Sequence, residues 1–221
     1  MSFKKIKNLF HSFLPVKISY GITVCNEESE LSELLNTLLP LIDDKDEVIV
    51  LQDITHESLA VSKLLESYQN KIIHIKSKLN GDFATFKNNL ITAATKDYLF
   101  QIDADEIPNN ELIKNLKKYL SSRYKCDVFF VPRINIVKGI TDDDLQKWSW
   151  KIDENGYINF PDYQQRILKL NHNIFWKNKV HEVLFGFKKI DFLPKDDVSF
   201  CLMHEKDIDK QSRQNDFYSK L

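Results

Sequence analysis

The sequence predicts an α/β domain built on a mostly parallel central sheet flanked by helices. Three observations carry this. Strand-like and helix-like periodicities alternate from Val16 to about residue 130. Such alternation is how parallel strands are connected. Three polar clusters of this stretch fall where the first, second and fourth strands end. The C-terminal half, with shorter and less regular strand-like pieces, reads as a smaller mixed region. The expected organisation is an N-terminal arm, 1–15, followed by a single domain, 16–221, with halves at 16–136 and 137–221.

Val16, Ile18, Tyr20, Ile22 and Val24 alternate with Lys17, Ser19, Gly21 and Thr23, a period of two that marks a strand. Leu31, Leu34, Leu35, Leu38 and Leu39 then recur at helical spacing, with Ser29 as a plausible cap. Pro40 and the acid-rich 43–46 cluster end that helix. Residues 47–52 read as a second strand closed by Asp53, and Val61, Leu64, Leu65 and Tyr68 share one face of a second helix. Residues 71–76 read as the third strand and Asn80-Gly81 as a turn. Phe83, Phe86, Leu90, Ile91 and Ala94 mark the buried side of a third helix. The fourth strand begins at Tyr98 and ends in Asp103-Ala104-Asp105-Glu106.

Leu112, Ile113, Leu116 and Leu120 predict a helix capped by Asn109, and 128–136 a fifth strand. Beyond it, 141–150 reads as an acidic loop and Asn155-Gly156 as a hairpin turn. Short strands are expected around 164–170, 174–176, 180–185 and 198–203. The tail, 207–221, looks helical and stops without a clear cap.

At 221 residues and 43% hydrophobic content, the chain is long enough for one substantial core. The formal net charge of −1 argues against nucleic-acid binding, which needs a basic surface. Cys25, Cys126 and Cys201 are far apart and odd in number, without metal-ligand spacing or a disulfide framework. A reducing, cytoplasmic setting is therefore expected. No apolar run approaches the ~20 residues of a membrane span. The arm places Lys4, Lys5 and Lys7 among Phe3, Ile6, Leu9, Phe10, Phe13 and Leu14. That pattern suits either a helix at a membrane surface, hence a peripheral membrane contact, or a helix packed on the domain. With 5 glycines and no glycine-rich phosphate loop, any bound phosphate must be held by other means.

Asp103-x-Asp105 at a strand end points to a cation, because unpaired neighbouring carboxylates are too costly to bury. Mg²⁺ and Mn²⁺ take oxygen ligands, typically one or two carboxylates plus phosphate oxygens. The plainer alternative is a solvated acidic turn. Asn26-Glu27 follows strand one and Asp53 follows strand two, and open parallel sheets bind ligands beyond the carboxyl ends of their strands. Asp53 suits either a base imide or ribose hydroxyl, or a turn. Asn26 and Glu27 suit either a ligand or a helix start.

Thr23-Val24-Cys25-Asn26-Glu27-Glu28, Asp53, Lys87-Asn88 and Ile102-Asp103-Ala104-Asp105-Glu106 form a recognisable set. So do Trp176-Lys177-Asn178-Lys179-Val180-His181-Glu182 and Met203-His204-Glu205-Lys206. On these residues the chain resembles the family 2 glycosyltransferases of GT-A fold, in the branch that builds lipopolysaccharide cores and similar surface glycans. The likeness runs from Ile18 to the C-terminus. It departs at Gln52-Asp53-Ile54-Thr55, where many relatives carry a glycine turn, so the loop path there stays open.

The resemblance implies transfer of a sugar, with inversion, from a nucleotide diphosphate sugar to an acceptor hydroxyl on a glycan or glycolipid. The donor it implies is UDP-linked. Asp103, Asp105 and His204 would hold Mn²⁺ or Mg²⁺. Asn26, Glu27, Asp53, Lys87 and Asp103 would bind the donor, and Trp148, Asp162, Arg166 and His181 would face the acceptor. Glu182 leads as general base, ahead of Asp162 and Glu106. Arg166 is expected to pair with Asp162 or an acceptor anion. Trp148, Trp150 and Trp176 suit sugar stacking or core packing. Two other functions compete: a non-catalytic nucleotide-sugar or carbohydrate-binding module, and a nucleotidyltransferase, whose usual glycine- and basic-rich loop is not visible.

Overall fold

A computed structural model describes residues 15–170 and 173–218. Apart from Pro15, the N-terminal arm lies outside the described residues. The first half runs β1 (Ile18–Val24), α1 (Glu28–Leu38), β2 (Glu47–Asp53), α2 (Leu59–Ser67), β3 (Ile73–Ser77), α3 (Phe83–Ala93) and β4 (Tyr98–Asp103). It continues through β5 (Ile107–Pro108), α4 (Asn110–Ser122) and β6 (Val128–Lys138). The second half holds α5 (Asp142–Trp148), β7 (Ile158–Lys169), β8 (Phe175–Lys177), β9 (Val183–Phe185), β10 (Ile190–Phe192), β11 (Leu202–Asp207) and α6 (Ile208–Tyr218).

Nine strands form one sheet in the order β3-β2-β1-β4-β7-β6-β11-β5, with β10 also on β6. Strands β3, β2, β1 and β4 run parallel. Strand β7 enters antiparallel between β4 and β6, and β11 runs parallel to β6. The antiparallel insertion joins the two halves into one sheet. Strands β8 and β9 form a separate antiparallel pair.

Period-two alternation sends side chains of the first strands into two apolar layers. Ile18, Tyr20, Ile22 and Val24 of β1 join Phe100 and Ile102 of β4 and the leucines of α1 and α4 on one face. Ile49, Leu51 and Leu99 meet Phe86 and Leu90 of α3, with Trp176 and Leu184, on the other. Gly21 is needed there: a Cβ would stand 2.9 Å from a Leu99 methyl and 3.2 Å from a Leu90 methyl. No helix among the described residues is long and apolar enough to cross a membrane.

Local chemistry revises several expectations. Ser29 does not cap α1; it lies inside the helix and bonds Glu30, while Glu27 takes the cap position. Residues 141–150 are not a loop. Thr141 and Asp144 form a reciprocal capping box that starts α5, and Ser149, at φ 55°, ends it in the left-handed region. The fifth expected strand extends to Lys138. Strand β7 starts well before the expected 164, and β10 was not foreseen.

Candidate functional site

A cavity of about 610 Å³ opens beyond the carboxyl ends of β1, β2 and β4, with β6, β7 and β11 supplying its other wall. Register explains the first contact. Thr23 of β1 lies beside Asp103 of β4, and its hydroxyl donates to Asp103 Oδ1 at 2.8 Å. Arg166 of β7 donates to Asp103 Oδ2 at 2.5 Å and also to Glu106. Glu106 is fully buried and accepts from Arg133 of β6 at 2.9 Å. Arg133 donates in turn to Asp162, its cross-strand partner, at 2.9 and 2.6 Å. Carboxylates and guanidinium groups therefore alternate across β4, β7 and β6.

Two expectations change with this lattice. Arg166 pairs with Asp103 and Glu106 rather than Asp162, because sheet register gives Asp162 to Arg133. Glu106 is no candidate base, being sealed between two arginines. Asp162 is also committed: Oδ2 accepts from Arg133 and Asn135, and Oδ1 from Gln164. Burial alone would raise the Asp162 pKa, but Arg133, Asn135 and Gln164 together hold it below the ordinary carboxylate value. Burial likewise opposes ionisation of Asp103, and Arg166, Lys87 and Thr23 outweigh it and hold its pKa low.

Both groups are depressed in the folded state, so near the ordinary value of about 3.9 the native protein binds fewer protons than the unfolded chain. Their stabilisation is fully present above that value and is lost as pH falls through the folded values. Urea midpoints should therefore drop between pH 6 and pH 3, and Arg133→Gln should flatten the dependence. A wild-type midpoint that does not fall over that range would contradict the assignment.

Asp105 lies in the turn after β4, away from this lattice. Its Oδ2 is 3.5 Å from His204 Nε2, 3.3 Å from Lys206 Nζ and 3.6 Å from Lys210 Nζ. The histidine tautomer follows from its neighbours. Asn135 Nδ2 donates to Asp162 at 2.9 Å, so Asn135 Oδ1 faces His204 Nδ1 at 2.7 Å, and Nδ1 must carry the proton. Nε2 is then the nitrogen that faces the Asp105 carboxylate. A carboxylate and an imidazole 3.5 Å apart are a donor pair that fits a shared cation, and an imidazole whose other nitrogen is held by an amide has the usual outer support of a metal ligand. Among the described residues, no three His, Cys, Asp or Glu side chains converge as a metal cluster. Asp103, the other expected ligand, has Oδ1 on Thr23 and Oδ2 on Arg166.

Helix α3 supplies a third group. Asn88 Nδ2 donates to the Trp176 carbonyl at 3.0 Å and its Oδ1 accepts the Trp176 N–H at 2.8 Å. One amide thereby docks β8 on the helix. Lys87, one residue earlier, donates to Glu182 at 2.6 Å and stands 4.9 Å from the centre of the Trp176 ring. Asn178 and His181, at φ 75° and 52°, fold the 178–182 loop back toward the cavity. Trp176 is core, with its indole N–H bonded to buried Gln101. His181 is exposed on the cavity wall.

The remaining expected residues divide. Glu27 lines the cavity, but its Oε2 accepts the N–H groups of Cys25 and Asn26. Asn26 is exposed and is not among the lining residues. Asp53 lines the cavity and also holds its rim: Oδ1 accepts from Thr55 N, Thr55 Oγ1 and Leu79 N. Trp148 packs on Trp150 at 4.8 Å between ring centres, and Trp150 is the one on the cavity wall.

Sequence reasoning missed Thr23, Arg133, Asn135 and Lys206 as site residues. A signal existed for two of them: Arg133 and Asn135 are polar residues two apart in an otherwise apolar strand, so they share one face, as do His204 and Lys206 on β11.

The model of glycosyl transferase family 2 matches residues 19–187. No protein with a curated function matches the chain in sequence. Among solved structures, TarS 1–349 from S. aureus aligns at a TM-score of 0.59 and 17% identity, covering 86% of this chain and 60% of that one. The same TarS fragment with UDP-GlcNAc aligns at 0.58 and 19%, covering 86% and 58%. The mannosyltransferase PcManGT from Pyrobaculum calidifontis, solved with GDP-Man and Mn²⁺, aligns at 0.54 and 14%, covering 87% and 58%. The chain thus spans about three fifths of the length of these structures. The likenesses bear out the expected GT-A architecture.

Proposed function

This chain belongs to glycosyl transferase family 2, and on that premise we propose that its cavity moves a sugar from a nucleoside diphosphate to an acceptor hydroxyl, with inversion. One observation carries the reading: Asp105 Oδ2 and His204 Nε2, 3.5 Å apart, share a cavity with the half-buried carboxylate Glu182. The nucleotide is uridine, as the resemblance implies and as the UDP and UDP-GlcNAc complexes of TarS support. The acceptor is a glycan or glycolipid.

Asp105 and His204 would hold Mn²⁺ or Mg²⁺, which when bound would offset charge on the leaving diphosphate. The chain's own residues do the rest. Asp53 and its two loops form the nucleotide rim. Arg166 and Thr23 fix Asp103, the donor-side carboxylate. Lys87 orients Glu182 through Oε1, and Glu182 takes the acceptor proton on Oε2. Trp150 offers an apolar face to a sugar ring.

The test is nucleoside diphosphate release from a panel of nucleotide sugars, with and without acceptor glycans, Mn²⁺, Mg²⁺ and chelator. UDP-sugars should turn over, chelator should stop them, and Asp105→Asn should cut the rate by ~10²-fold or more. Undiminished turnover in excess chelator would remove the metal from this reading. Tight binding of nucleotide sugars with no release under any condition would instead make the protein a binding module.

A further inference from the structure

The same carboxylate oxygen that faces His204 also faces two ammonium groups, and Lys206 is the notable one. It lies on β11 two residues beyond His204, on the same strand face. It lines the cavity, its side chain is only 4% exposed, and its Nζ is 3.3 Å from Asp105 Oδ2. Lys210 is less committed: it approaches Asp105 at 3.6 Å and bonds Glu30 at 2.8 Å. A buried ammonium so close to a metal-binding carboxylate is unusual, because a divalent cation seated on Asp105 would meet a like charge within a few ångströms.

We propose that Lys206 is the resident counter-ion of Asp105 in the ligand-free protein, and that it changes partner, from Asp105 to a diphosphate oxygen of the donor, when metal and nucleotide bind together. The inference rests on the metal-dependent reading above. Before the nucleotide arrives, the ammonium neutralises the carboxylate and holds Mn²⁺ off. The diphosphate removes the conflict by giving the ammonium an anion of its own and supplying the metal with further oxygen ligands. The other cavity cations follow a similar pattern, since Lys87, Arg133 and Arg166 each rest on a carboxylate. Lys206, unlike these, rests on the carboxylate assigned to metal, at 3.3 Å, with Lys210 farther off and bonded to Glu30. It is thus a positioning residue that couples metal binding to donor binding, and metal should not load the empty site.

The experiment is direct titration of MnCl₂ by electron paramagnetic resonance, with and without UDP, on wild type, Lys206→Met and Lys87→Met. Wild type should bind Mn²⁺ weakly alone and much more tightly with UDP. Lys206→Met should bind Mn²⁺ alone about tenfold or more tightly, the scale expected from removing one close like charge, and should lose about tenfold in UDP affinity. Lys206→Arg, which keeps the charge, should restore weak Mn²⁺ binding. Lys87→Met removes an ammonium from the same cavity and should leave Mn²⁺ affinity measured without UDP unchanged, separating a local contact from the general field.

Equal Mn²⁺ affinity in wild type and Lys206→Met, or an equal gain in Lys87→Met, overturns the inference while leaving metal-dependent transfer intact. Absence of Mn²⁺ binding in every protein even with UDP overturns both. If Lys206→Met does not fold, Lys206→Gln takes its place. Independently of any variant, wild type that binds Mn²⁺ as tightly without UDP as with it refutes the proposal.

Discussion

Glu182→Gln is expected to slow sugar transfer by ~10²–10⁴-fold, the range for losing a positioned general base, while nucleotide affinity is kept or slightly improved. The substitution preserves size, and a glutamine carbonyl can still accept the Lys87 hydrogen bond, so the 178–182 loop and its left-handed residues have no reason to move. What disappears is the ability to take the proton from the attacking hydroxyl. The gain in affinity, if seen, has a simple origin: Lys87 no longer has an anion to neutralise and is available to the diphosphate.

The informative comparison is Asp162→Asn, measured for transfer rate, UDP affinity and urea midpoint together. Asp162 sits among Arg133, Asn135 and Gln164, so its substitution should cost stability more than turnover. Near-normal transfer in Glu182→Gln with collapse in a well-folded Asp162→Asn would move the base to Asp162.

Arg166→Met should destabilise the fold by ~3–5 kcal/mol, the cost of removing one partner from a buried ion cluster. The guanidinium is the shared cation of Asp103 and Glu106, and Glu106 has no access to water. Without Arg166, Arg133 alone must balance Glu106 and Asp162, and Asp103 keeps only Thr23 and the more distant Lys87. Against a typical domain stability of about 5–15 kcal/mol, that loss is large and readable by urea unfolding. Adding Glu106→Gln should recover part of it, because a neutral amide needs no counter-ion. A loss below about 1 kcal/mol in the single variant would mean that water reaches the cluster and that the lattice contributes little.

The first half of the fold was legible because β1, β2 and β4 are buried on both faces and the helices on one, so apolar periodicity follows secondary structure closely from Ile18 to Val128. The second half was less so for a physical reason. Strand β7 points Asp162, Gln164 and Arg166 into the cavity, and those polar residues break the pattern by which its early part would be recognised. Helix α5 has no buried residue, so only its capping box marks it.

Asp53, Asp103 and Asp105 were legible one by one, since each closes or follows an apolar strand. Their partners were not. That Asp162 belongs to Arg133 and Asp103 to Arg166 is a property of sheet register, which no local pattern specifies. The Lys87-Asn88 pair shows the opposite case. It carried the resemblance, and its physical content is a helix that docks one strand through Asn88 and aims one carboxylate through Lys87.

The single oxygen Asp53 Oδ1 ties the loop after β2 to the loop after β3, aided by Asn80 N donating to Thr55 Oγ1 at 3.3 Å and Ile54 N to the Ser77 carbonyl at 2.9 Å. Glycine is absent from 52–55, and this carboxylate takes over the work of a glycine turn. Two loops that would otherwise each be ordered on contact with a ligand are already one frame. Immobilising a loop or side chain costs association free energy, and here that cost has largely been met during folding. A nucleotide seated on this rim, as proposed above, would meet a shape that is set before it arrives.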